Sequence, residues 1–141
     1  MKLKAYSSRQ NGQAAVEFAL SVLIFLAFLL VLGDMGRICY NWVGLQYAVN
    51  EGARFGSLGN SSGAIASKVT TVAGGLGIKN VDVSFADSAG GATPGAPLTF
   101  YKLIGQTTVT LNPLSALLTK ITGNNSGNYI VNVQALTRNE P

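Results

Sequence analysis

Glu17 is the one charged residue between Asn11 and Gly33, in a stretch that reads NGQAAVEFALSVLIFLAFLLVLG. A carboxylate inside a helix that seeks hydrocarbon is costly and usually serves a function. It also lies about one turn inside the apolar run, where an acid can reach the interface at small cost, so residue chemistry alone leaves both accounts open. Elsewhere the chain offers little for catalysis. It has no histidine, which removes the commonest general base and the commonest transition-metal ligand. Its single cysteine, Cys39, reads either as a small apolar side chain in a helix or as a link to another chain. Asp82 and Asp87 straddle a strand end and make a weak cation pair at best. No phosphate-cradling Gly-Lys loop or Gly-x-Ser-x-Gly elbow occurs, and the glycines at 74, 75 and 77 lack the strand and acid of a dinucleotide site. We therefore expect no enzyme, no cofactor and no metal.

The composition explains where the chain prefers to be. Of 141 residues, 48% are hydrophobic and 11% charged, against about 25% charged in soluble domains. Ala14 to Gly33 is 20 residues, and a helix of that length covers about 30 Å, the thickness of a bilayer's hydrocarbon core. Lys2, Lys4 and Arg9 precede this span, whereas Asp34 and Arg37 cancel after it. The positive-inside rule then places the N-terminus in the cytoplasm and the C-terminal domain outside. A cleaved secretory signal fits less well, because the apolar stretch from Phe18 to Leu32 is long and Gly33-Asp34-Met35-Gly36 is a poor cleavage site. From Gln13 onward seven Lys or Arg face six Asp or Glu, too dilute for the basic stripe that a phosphate backbone demands, so nucleic acid is not expected as a partner.

The elements that must carry these residues follow from periodicity. Ile38, Trp42, Leu45 and Val49 continue a helical repeat beyond the span, predicting one long helix from about Gln13 to about Leu58. Asp34 with Arg37 and Glu51 with Arg54 form i,i+3 pairs on it. Gly36, Gly44, Ala48, Gly52 and Gly56 are four or eight apart and form a ridge of small residues. Such a ridge suits a packing seam, against other subunits or against the chain's own sheet. The turn chemistry of residues 56 to 63 closes the helix, and a second helix follows, capped by Ser61 or Ser62, with Ile65, Val69, Val72 and Leu76 on one face. Alternation around Val81 to Phe85, Thr107 to Leu111 and Tyr129 to Ala135 predicts three or four antiparallel strands. Residues 90 to 97 read as an exposed linker, Pro113 opens a short helix over 114 to 121, and residues 124 to 128 form a turn. The expected fold class is α+β, with a long N-terminal transmembrane helix packed on a small antiparallel β-sheet. Residues 1–12 would be a leader, 13–58 the long helix and 59–141 a small extracytoplasmic domain.

Gly12-Gln13-Ala14-Ala15-Val16-Glu17-Phe18 resembles the processing motif of type IV pilin-like proteins, and the Phe18 aromatic is similar to the Tad (Flp) branch. Asn50-Glu51-Gly52-Ala53-Arg54-Phe55 resembles the second landmark of TadE-like pseudopilins. The resemblance implies a pilin-like fold, cleavage by a prepilin peptidase between Gly12 and Gln13, and insertion in a bacterial inner membrane before assembly into a pilus. Glu17 and Phe18 would serve assembly. The implied partners are that peptidase, other pilin or pseudopilin subunits in a homo- or hetero-oligomer, the membrane and the pilus assembly platform. Cleavage would leave a new amino terminus about 6 to 7.5 Å along the helix from Glu17, so an ammonium from a neighbouring subunit would neutralise the acid and set axial register. A minor pilin, a main filament subunit and a single-span protein with an extracytoplasmic ligand-binding domain are the alternatives that follow.

Overall fold

The computed structural model describes residues 4–87, 100–121, 123 and 128–138, with side chains from Gly12 onward except those of residues 87, 114, 118 and 119. The expected linker over 90 to 97 and most of the turn over 124 to 128 lie outside the described residues. Helix α1 (Lys4–Ser57) runs unbroken for 54 residues, about 80 Å. It begins ahead of the expected Gln13 because no proline interrupts the residues before it. Helix α2 (Ser62–Gly75) follows, and Ser61 occupies its N-cap in an extended conformation. The cap works through the backbone: the Ser61 carbonyl accepts the Ile65 N–H at 3.0 Å, while its hydroxyl makes no capping bond.

Strands β1 (Asp82–Asp87), β2 (Phe100–Thr110) and β3 (Asn128–Arg138) form one antiparallel sheet in the order β1-β2-β3, and helix α3 (Pro113–Ile121) connects the last two. The chain is thus α+β, a long apolar helix with a small three-stranded antiparallel sheet. Sequence alternation placed the second strand around Thr107 to Leu111, yet β2 starts at Phe100. Its inward row is Tyr101, Leu103, Gly105, Thr107 and Val109, all buried. Gly105 hides this row from a hydropathy pattern. A Cβ there would stand 2.5 Å from Val49 Cγ2 and 3.3 Å from Leu45 Cδ1, so only glycine lets the strand lie this close to α1. The register puts Gly105 between Val83 and Val133, and Leu103 between Phe85 and Ala135.

The core forms where these rows meet the far half of α1. Leu45, Ala48, Val49 and Ala53 pack against β2 and β3, while Ile65, Val69 and Ala73 bring α2 onto the same cluster. Tyr101 is fully buried and tilts against Phe85 with ring centroids 6.1 Å apart. Its hydroxyl has no hydrogen-bond partner, and burial pushes its pKa up. An unpaired buried hydroxyl is a standing cost. Tyr101→Phe is therefore expected to leave stability unchanged or raise it by up to about 1 kcal/mol in urea denaturation, despite removing a polar group. A loss above about 1 kcal/mol would show that the hydroxyl finds a partner in solution.

Candidate functional site: the two ends of the long helix

The first half of α1 is unclothed. Phe18 is 71% exposed, Leu23, Ile24 and Phe28 are similarly open, and no described residue of the domain covers them. Gly12 is exposed with open space where a Cβ would stand. Glu17 is exposed as well, and its carboxylate accepts a hydrogen bond from Gln13 Nε2 at 3.1 Å. The acid thus has a weak neutral partner one turn back, which leaves room for a charged one. Ser21 donates to the Glu17 carbonyl at 2.9 Å.

The small-residue ridge divides between two surroundings. Gly44 lies against Ile78 and Leu76, Gly52 against Val69 and Leu103, and Gly56 against Tyr101 and Ile65, while Ala48 is fully buried in the core. Gly36 has open space around it. Four of the five positions therefore meet the chain's own domain, and at the fifth no described residue of it comes within 4 Å of a Cβ. Arg54 projects into solvent, 3.8 Å from Glu51, which also pairs with Lys68 of α2 at 3.9 Å. These exposed pairs are worth a few tenths of a kcal/mol each, up to about 1.

The junction between the bare and clothed halves holds a polar cluster that spacing alone did not reveal. Asp34 is 2% exposed. Its Oδ2 accepts the Asn112 backbone N–H at 2.9 Å, and its Oδ1 accepts Asn112 Nδ2 at 2.9 Å. Arg37, the partner expected from the i,i+3 spacing, is the looser contact at 3.5 Å. Asn112 immediately precedes α3, and its carbonyl accepts the Ala116 N–H at 2.8 Å. Asp34 therefore sits at a helix N-terminus, where a negative charge is favoured. The Ser115 hydroxyl has the largest effect on the Asp34 pKa, lowering it, although Ser115 Oγ makes no hydrogen bond of full geometry. Burial pushes the other way, and the Asn112 amide and Arg37 add to the lowering, so the carboxyl lies below its ordinary 3.8.

Chain direction explains the meeting. Along β2, Tyr101 touches Gly56, Leu103 reaches Gly52 and Gly105 reaches Val49, so β2 descends α1 toward the bare half. From residue 56 back to 34 the helix covers about 33 Å, and from 101 to 112 an extended chain covers about 36 Å, so Asn112 arrives level with Asp34. The weak cation pair fails on the same arithmetic. Asp82 and Asp87 are the first and last residues of β1, about 17 Å apart.

This arrangement defines a class: one N-terminal helix long and apolar enough to cross a membrane, which suggests membrane association, carrying a small α+β domain on its far half. Residues 12–54 match the model of a family described as TadE-like protein. The matched segment runs from Gly12 of the first motif to Arg54 of the second. Comparison with curated proteins and with solved structures gives no match.

Proposed function

We propose that this chain is a minor pilin or pseudopilin of a Tad-type pilus. It is inserted with its N-terminus in the cytoplasm, cut by a prepilin peptidase between Gly12 and Gln13, and assembled through α1 with other pilin-like subunits on the membrane platform. One observation supports this best: a TadE-like segment whose first residue is Gly12 leads into a helix half that its own domain leaves bare. Gly12, exposed and without a side chain, offers the peptidase close backbone approach. After cleavage the new ammonium of one subunit pairs with Glu17 of the next, in a low-dielectric bundle where an unpaired carboxylate is penalised. Phe18 packs in the same contact, and Gly36, with no described residue within 4 Å of where a Cβ would stand, permits close approach by a neighbouring helix.

Intact-mass measurement of the membrane-extracted protein tests the processing. Loss of residues 1 to 12 is expected, and full-length protein recovered from pili would refute it. Glu17→Ala is expected to insert and be cleaved normally while its recovery in sheared pili falls by at least about tenfold, the equivalent of 1.4 kcal/mol in subunit association. Unchanged recovery would remove the register role from Glu17.

A further inference from the structure

The strongest feature outside this reading is α3. Leu117 and Ile121 are four residues apart on this helix and therefore share a face. They are 54% and 75% exposed. Lys120 in the last turn is exposed beside them. A nine-residue helix with two large apolar side chains and a cation facing outward, and a buried Ser115 facing inward, is amphipathic in the sense that suits an interface.

Its height is set by Asp34. The apolar span ends at Gly33, and Asp34, the next residue, holds the chain at the start of α3 through two hydrogen bonds from Asn112. The headgroup layer on each side of a bilayer is about 5 to 8 Å thick, and a helix with its side chains is about 10 to 12 Å across. A helix tethered at this level cannot stand clear of the headgroups. Two further cations belong to the same foot of the domain: Arg37 and Lys79 line an open groove beside Gly33 and Gly36.

We propose that α3 lies on the surface of the bilayer that α1 crosses, with Leu117 and Ile121 entering the boundary between headgroups and acyl chains and Lys120 meeting lipid phosphates. The domain is thereby held at two points, the end of the span and α3, and its foot faces the membrane rather than open water. The proposal rests on α1 spanning a bilayer.

The test uses the full chain with Cys39→Ser, reconstituted in vesicles of phosphatidylethanolamine and phosphatidylglycerol. A nitroxide is attached in turn to Leu117→Cys, Ile121→Cys, Leu29→Cys within the span, and Gln134→Cys on the exposed sheet face. Relaxation by dissolved oxygen and by a water-soluble nickel complex then reports depth. The labels at 117 and 121 are expected to show an oxygen-to-nickel ratio several-fold above that at 134 and below that at 29. Water-like ratios at 117 and 121 beside a lipid-like ratio at 29 would overturn the proposal alone. A water-like ratio at 29 would instead refute the spanning of α1, and the proposal with it. Spin–spin broadening at 117 or 121 that disappears on dilution with unlabelled chain would identify a second copy as the occupant and overturn the lipid assignment.

Discussion

Gly52→Val is expected to destabilise the domain by about 3 kcal/mol, the upper end of what overpacking costs. A Cβ at this position would overlap Val69 Cγ2 and stand 3.3 Å from Leu103 Cδ2. Neither neighbour yields easily. Val69 is a fully buried β-branched residue on α2, and Leu103 is fully buried in the middle strand. Removing a helix glycine returns about 0.5 to 1 kcal/mol of backbone entropy, too little to reverse the sign. Urea denaturation of the detergent-solubilised chain, followed through its one tryptophan, Trp42, measures the effect. Gly36→Val is the matched control, because nothing lies within 4 Å of a Cβ there. It is expected to leave the denaturation midpoint at or above the parent's, and equal losses in both variants would refute the division of the ridge.

The second large effect is expected at the foot of the domain. Asp34→Ala leaves the Asn112 N–H and Nδ2 without their acceptor in a site that is nearly closed to water. Each buried donor stranded in this way costs about 1 to 3 kcal/mol, so a total of about 2 to 4 kcal/mol is expected after partial relaxation. Asp34→Asn keeps one acceptor oxygen and is expected to lose less. The parent also carries a pH signature here. Because the folded-state pKa of Asp34 is below 3.8, the unfolded chain binds the proton more tightly. The contribution is complete above the unfolded pKa and is lost as pH falls through the folded one. The parent is thus expected to lose stability on acidification below about pH 4 more steeply than Asp34→Asn. Parallel pH profiles for the two would rule out a charge-dependent hold on α3.

Much of the architecture was legible because it depends on neighbours in sequence. The apolar span is a matter of length and composition, and α2 shows its buried Ile65 and Val69 at helical spacing. β3 shows Val131 and Val133 inward at a period of two. The upstream half of β2 was missed because Gly105 interrupts the apolar row at the point where a side chain is excluded by Val49. Asp34 was read through Arg37, three residues away, because local spacing can propose only local partners.

The sequence by itself determined the bare apolar helix, its lone acid at Glu17, the motifs at either end of the TadE-like segment and the change of period from helix to strand. Tertiary structure decided which side of each small residue was already taken, and that Asp34 belongs to Asn112 across 78 positions of chain. The physical reason is that periodicity records which face of an element avoids water. Which partner covers that face is settled only when β2, antiparallel to α1 and nearly equal to it in rise over this stretch, brings distant residues to the same height.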